Sequence, residues 1–267
     1  MGERCLSNMM TTRRDVQQQY ATPANLNARS AIYKYGTPHV DWSRWVFDQL
    51  DLSAGQRVLE IGCGDGGLWR KNLDRIPKDV VILLGDLSIG MLTGARGRLG
   101  KFRFVQLEAE HLPFRDGEFD VVVANHMLYH VEDRPRALTE VRRVLRSGGR
   151  FFAATNGERH VGQIKGLIGR FLGDETSVSR PLSFSLENGG EQLLQFFSSV
   201  EMRGQPGELR VPDADAIVNY VLSVNGAPQK IVGERMSELR RTVNDAMQRN
   251  GAFVVETHVG LFVASTS

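Results

Sequence analysis

The stretch VLEIGCGDGG, Val58 to Gly67, places an acid, Glu60, just ahead of Gly62, Gly64, Gly66 and Gly67. A second acid, Asp86, follows about twenty residues further on, at the end of the next apolar run. A strand that runs through a glycine turn into a helix is a cradle for an anion or a nucleotide. Bare amides and the helix N-terminus favour a negative group, and missing Cβ atoms let a ligand approach the main chain. Gly62, Gly64 and Gly67 satisfy G-x-G-x-x-G, the dinucleotide fingerprint. An acid in the position of Asp86 would grip ribose hydroxyls. The glycines do not name the nucleotide by themselves.

Glu60, Gly62, Gly64 and Gly66 also satisfy E-x-G-x-G-x-G, and further stretches follow in order. These are GDLSIGML (Gly85–Leu92), LEAEHLPFRDGEFD (Leu107–Asp120), ANHMLYHVED (Ala124–Asp133) and VLRSGGRFFA (Val144–Ala153). Together they resemble the class I S-adenosylmethionine (SAM) methyltransferases, over roughly residues 42–156. The resemblance implies SAM as cofactor and S-adenosylhomocysteine as product. It implies that Gly62, Gly64 and Gly66 wrap the amino-acid end of SAM, with Cys63 a small filler and Glu60 orienting the turn. Asp86 would accept the ribose hydroxyls and Leu87 would pack on adenine. Glu108 stands where the family usually has Asp, so either Glu108 or the backbone amide near Ala109 would meet the adenine amine. Asn125 would offer its carbonyl to the SAM ammonium. A short-chain dehydrogenase would need Tyr-x-x-x-Lys, and none of the five tyrosines has Lys at that spacing.

Methyl transfer from a sulfonium is an in-line displacement, so the protein mainly supplies alignment and desolvation. A base is needed only where the nucleophile arrives protonated. After the fourth strand come His126, Tyr129 and His130; Tyr129 and then His130 are the candidate catalytic residues. Asn156 and His160 follow the fifth strand and, with His126, Tyr20 and Tyr33, are candidates for contacting the substrate. The aromatic rings of Tyr20 and Tyr33 would suit a neighbouring sulfonium. Trp42 and Trp45 share the apolar face of a helix and are expected in the core. Histidine and cysteine spacing shows no metal site.

These residues need elements to hold them. Apolar runs at 57–61, 80–85, 102–107, 119–124 and 150–155 alternate with helical periodicity at 66–75, 88–99 and 134–146, which predicts a parallel sheet covered on both faces. Helices are also expected at 13–20, 23–34, 41–50, 158–172, 186–197, 213–223 and 229–249, with a closing strand at the end. The fold class is α/β. The resemblance makes it a Rossmann-like doubly wound sheet of seven strands, mostly parallel with the last antiparallel, plus helical lid elements. Residues 1–40 read as an N-terminal helical cover and 41–156 as the SAM-binding core. Residues 157–185 read as a lid insertion and 186–267 as the C-terminal part of the core.

Thirty-three basic and 31 acidic residues give a net charge of +2, which offers no reason to expect nucleic acid. There is no apolar leader, no apolar run of membrane length and no myristoylation pattern, so a soluble cytoplasmic protein without membrane contact is expected. Two cysteines, one inside the glycine turn, fit a reducing compartment. The Asn-Pro-Pro-Tyr/Phe pattern of methyltransferases acting on base or glutamine amines is absent. The expected activity is methyl transfer to a small organic molecule, such as a specialised metabolite, by a chain that could form a homo-oligomer. The alternatives are SAM-using chemistry other than methyl transfer, such as cyclisation of SAM, and a non-catalytic SAM-binding subunit.

Overall fold

The computed structural model describes residues 24–37, 40–173, 181–224 and 226–267. Tyr20 and the helix expected at 13–20 lie outside them. In chain order the elements begin with α1 (Ala24–Ser30), a 3-10 turn (Ala31–Tyr35), β1 (Gly36–Thr37), α2 (Trp42–Leu50), β2 (Arg57–Ile61) and α3 (Gly67–Arg70). There follow β3 (Val81–Asp86), α4 (Ile89–Arg98), β4 (Arg103–Gln106), β5 (Phe119–Asn125), a 3-10 turn (Leu128–His130), α5 (Arg134–Val144) and β6 (Leu145–Asn156). The C-terminal elements are α6 (Gly162–Leu172), α7 (Gly189–Leu194), β7 (Ser199–Val211), α8 (Ala214–Leu222), α9 (Ala227–Lys230), α10 (Glu234–Asn250) and β8 (Phe253–Ser265).

The strands form one sheet in the order β1-β7-β8-β6-β5-β2-β3-β4. β2, β3, β4, β5 and β6 run parallel, and β8 is antiparallel to both β6 and β7. The sheet therefore has eight strands rather than seven. The extra one, β1, is two residues long and pairs Gly36 and Thr37 with Leu209 and Glu208 of β7. The chain leaves β2 towards β3 on one side and returns to β5 on the other. That reversal opens a crevice beyond the carboxyl ends of the parallel strands, where ligands of such sheets bind.

Alternation along the strands splits their side chains between two cores. Leu59 and Ile61 of β2 and Val122 of β5 pack with Leu138 and Val141 of α5. Val58, Val121 and Val123 pack instead with Val46 and Leu50 of α2 and with Trp69. A third core joins Ile32, Ile164, Leu167 and Phe171 to α8, α10 and the β7–β8 pair, through Ile217, Val243, Val211 and Val255. The apolar face of α6 is thus built into the body.

Caps set the helix starts. Asp41 accepts from the amides of Ser43 (3.0 Å) and Arg44 (3.3 Å), and Ser88 accepts from Met91 N (3.3 Å). Where 66–75 read as one helix, α3 stops after a single turn. Asn72 is fully buried there, and its amide donates to Leu68 O (2.8 Å) and Ser43 O (3.1 Å), tying the chain to α2.

Candidate functional site

β2, β3, β5 and β6 end at the rim of a cavity of about 980 Å³, which their last residues, Ile61, Asp86, Asn125 and Asn156, help to line. The glycine turn forms one side. Gly62, Gly64 and Gly66 adopt φ of 71°, 55° and 74°, in the left-handed region that suits glycine. Cys63 N donates to Gly85 O (2.9 Å) and Gly64 N to Asp86 Oδ2 (2.8 Å), so the turn is stapled to the end of β3. Gly62 and Gly64 face the cavity. Gly66 does not: a Cβ there would meet Leu99 Cδ1 at 2.4 Å, so this glycine serves close packing against α4.

Three carboxylates surround the turn. Asp65 is paired with Arg98 (3.0 Å) and, more loosely, with Arg70 (3.6 Å). Among the described residues Glu60 and Asp86 have no such cation. Glu60 is 2% exposed and accepts from Trp69 Nε1 at 2.7 Å. Burial, with Asp86 and Asp65 adding to it, pushes the Glu60 carboxyl up to about 8. Asp86 accepts from Gly64 N and, through Oδ1, from Ser88 N (2.8 Å); burial raises its pKa against those bonds. Burial also raises the Cys63 thiol, which keeps it in the unreactive form.

Beyond Asp86 the cavity wall turns apolar, with Leu87, Met91, Leu107 and Ala109. Gln106 Nε2 donates to Leu87 O (3.0 Å) and holds that corner. Glu108 also lines the cavity, with its carboxylate 4.0 Å from His111 Nδ1.

The other side of the cavity collects the residues expected at the substrate. Tyr33, His126, Tyr129, His130, Asn156 and His160 all line it. His126 holds a left-handed backbone (φ 56°), an uncommon state for a residue with a side chain, and its ring packs on Trp42 with centroids 5.1 Å apart. Tyr129 and His130 meet edge to face at 4.5 Å. Tyr33 Oη lies 2.9 Å from His160 Nε2, and His160 Nδ1 accepts from His258 N at 3.1 Å. Burial holds His126 and His130 down to about 4 and His160 to about 3, so all three are neutral near pH 7.

Four contributors escaped the sequence reading. Trp42, expected purely as core, lines the cavity, and its Nε1 donates to Asn125 Oδ1 (3.2 Å). Met127 fills the place a Cβ at Gly62 would need, 2.8 Å from its own Cβ. Arg29 and Tyr220, from α1 and α8, line the substrate side. Arg29 is anchored by bonds to Ser223 Oγ (3.0 Å) and Ser223 O (3.1 Å), nearly two hundred residues away in sequence, and no local pattern signals such a pairing.

Residues 59–153 match the family model of a methyltransferase domain. A ubiquinone/menaquinone biosynthesis C-methyltransferase of Idiomarina loihiensis is 34% identical over 142 residues, covering 51% of this chain and 55% of that protein. A second enzyme of the same name, from Xanthomonas oryzae pv. oryzae, is 36% identical over 117 residues, or 42% and 46% of the two chains. The chain thus spans about half the length of these curated relatives. Among solved structures, a phosphoethanolamine N-methyltransferase of Haemonchus contortus holding SAM superposes with a TM-score of 0.61 at 18% identity, over 95% of this chain and 59% of that one. The cyclase SpnF superposes with a TM-score of 0.57 at 18% identity, over 96% and 97%. At that identity the likeness is one of fold.

Proposed function

We propose that this chain, whose residues 59–153 carry the methyltransferase domain and whose sheet has the class I SAM-dependent methyltransferase fold, transfers a methyl group from SAM to a small organic molecule. The observation that carries the proposal is a pair of carboxyl groups, buried Glu60 and half-buried Asp86, with no cation beside either among the described residues, at a glycine turn that opens into the cavity. Burial raises both carboxyls, and a ligand bearing a sulfonium and an ammonium would favour their ionised forms. The rest of the wall fits the same ligand. Asp86, already oriented by two amides, keeps lone pairs for a ribose diol. Leu87, Met91 and Leu107 offer an apolar slot for adenine, Glu108 would accept from the adenine amine, and Ala109 N–H would donate to an adenine ring nitrogen. Gly62 and Gly64 would pass against the methionine moiety, with Asn125 at the ammonium.

When bound, SAM supplies a methyl group already activated on sulfur. The chain's own task is then to align the acceptor and keep water away. Tyr129 and His130 pack on each other at the end of β5 and are assigned to alignment. His126, His130 and His160 are too weakly basic to take a proton from an alcohol or an ammonium near pH 7. The acceptor's nucleophile is therefore one that needs no histidine base. The family match stops at residue 153, whereas Asn156, His160, Tyr33 and Tyr220 lie outside it, so the acceptor is not carried over from the quinone-pathway relatives.

Calorimetry with S-adenosylhomocysteine tests the cofactor. Binding should be weakened roughly tenfold or more in Asp86→Ala, which removes charge-assisted bonds to the ribose. Unchanged affinity in that variant would remove Asp86 from the cofactor site. Once turnover is found, S-adenosylhomocysteine as the product seen by mass spectrometry supports methyl transfer, and methylthioadenosine would mark cyclisation of SAM instead.

A further inference from the structure

The bond between Tyr33 and His160 has a direction. His160 Nδ1 accepts from the main-chain N–H of His258 at 3.1 Å, so Nδ1 carries no hydrogen. The ring is 4% exposed and neutral, so its single N–H is on Nε2. That N–H is 2.9 Å from Tyr33 Oη, which must accept it. The hydroxyl's own hydrogen is left over. Among the described residues no acceptor is placed for it, and both side chains line the cavity. A half-buried donor without a partner is costly unless a ligand or water meets it.

The charged side chains that act directly on these rings are cations. Of the charged groups near enough to act on Tyr33, His126, His130 and His160, Arg29 faces Tyr33 and His130, and Lys165 faces His160. Among the described residues no carboxylate acts on any of the four. Glu132, Asp133 and Glu208 also line the cavity, and Glu60 and Asp86 lie at the glycine turn. The substrate side thus gathers neutral rings with Arg29 and Lys165 at its wall, Lys165 itself near Glu158 and Glu187.

We propose that Tyr33 is a specificity-determining hydrogen-bond donor of this chamber, and that the acceptor presents to it an oxygen bearing negative charge, a phenolate or a carboxylate. His160 is the positioning residue: its fixed tautomer compels Tyr33 to donate. The inference rests on the methyl-transfer reading for the identity of the chamber. It also explains how transfer proceeds without a histidine base: a carboxylate arrives ionised, and a phenol gives its proton to water as the Tyr33 donor stabilises the phenolate.

The test titrates the full chain, saturated with S-adenosylhomocysteine at pH 8, with three ring compounds of similar size: 4-nitrophenolate, 4-nitrobenzoate and uncharged nitrobenzene. At least one anion should bind about tenfold more tightly than nitrobenzene, the worth of a charge-assisted bond. A preference confined to 4-nitrophenolate identifies the phenolate source, and one confined to 4-nitrobenzoate the carboxylate source. Tyr33→Phe should remove the preference while nitrobenzene and S-adenosylhomocysteine bind as before. His160→Leu should weaken it, and His160→Gln, whose amide can accept and donate on opposite sides, should restore it in part. A second readout needs no variant: the absorbance of bound 4-nitrophenol should show a larger ionised fraction than the free compound at equal pH. Equal binding of nitrobenzene, an intact preference in Tyr33→Phe, or an ionised fraction no larger than in solution each overturns the proposal. If S-adenosylhomocysteine itself does not bind, the methyl-transfer reading falls, and the anion preference is scored on the protein without it, so the two fail separately.

Discussion

Glu60 is an acid whose neighbours make it reluctant to ionise. Its indole partner Trp69 favours the charged form, but burial and the Asp86 charge outweigh that bond and raise the carboxyl to about 8. The unfolded chain would ionise it at its usual 4.5, so the folded state holds an extra proton between these values. Stability from this group is therefore full below about pH 4.5 and is lost as pH rises towards 8, at up to about 1.4 kcal/mol per pH unit. Glu60→Gln keeps an acceptor for Trp69 and removes the titration. Urea unfolding at pH 6 and pH 8.5 should show the variant losing less stability than the wild type over that interval. An identical loss in both would mean Glu60 is ionised at pH 6 already. The sequence made Glu60, Asp86 and the glycines legible because their chemistry lies in local spacing. It did not show which carboxylate lacked a cation, since Arg98 and Arg70 choose Asp65 only once α4 and α3 are folded against the turn. Nor did it show that Tyr33 meets His160, a pairing across 127 residues.

At the scale of elements, the glycine turn divides its labour. Gly62 and Gly64 leave room at the cavity, whereas Gly66 lets α3 start against α4. Gly66→Ala adds a Cβ 2.4 Å from Leu99 Cδ1 at a backbone φ of 74°, so strain and overlap act together. Gly148→Ala meets nothing within 4 Å at a similar φ of 69° and bears the strain alone. Thermal or urea unfolding should find Gly66→Ala the more destabilised, by about 2–3 kcal/mol, against about 1 kcal/mol for Gly148→Ala. Equal losses would show that Leu99 moves aside freely. The buried strands were legible because parallel strands covered on both faces are continuous apolar runs. β7 was not placed, because Ser199–Val211 alternates charge with small residues and carries Gly204, Pro206 and Gly207; among the described residues its far side is paired by the two residues of β1. The helix foreseen over 158–172 starts at Gly162 because Val161 takes a left-handed backbone that a helix cannot include. Of the span 157–185 read as a lid, residues 174–180 lie outside the described residues; α6 packs on the third core, while His160, Val161 and Lys165, just before and within that helix, face the cavity. An amphipathic pattern reports that a helix buries one face, without saying what lies across from it.

For the molecule as a whole, the cavity imposes a stability profile against pH. His126, His130 and His160 are held at about 4, 4 and 3, below the 6.5 they would have when unfolded. Between about pH 4 and 6.5 the unfolded chain therefore binds up to three more protons at these sites, and their contribution to stability falls as pH falls. Glu60 works against this with one proton of the opposite sign from about 4.5 to 8, and Asp86, also raised, acts in the same direction as Glu60. The histidines win below 6.5 because they are three against these two carboxyls, and Asp86 has the smaller shift. Above 6.5 they are neutral in both states, and only the carboxyl slope remains. Stability should therefore peak near pH 6.5. It should fall by about 1–3 kcal/mol per pH unit on the acid side and by about 1.4 kcal/mol per pH unit towards pH 8. Urea unfolding at pH 5, 6.5 and 8 would trace the profile. His160→Gln, which retains both hydrogen-bonding roles, should flatten the acid limb by about one proton and leave the alkaline limb unchanged. A stability that rises steadily from pH 5 to 8, or an acid limb indifferent to His160→Gln, would show that water reaches these rings and that the chamber is not the dry, neutral site on which transfer without a histidine base depends.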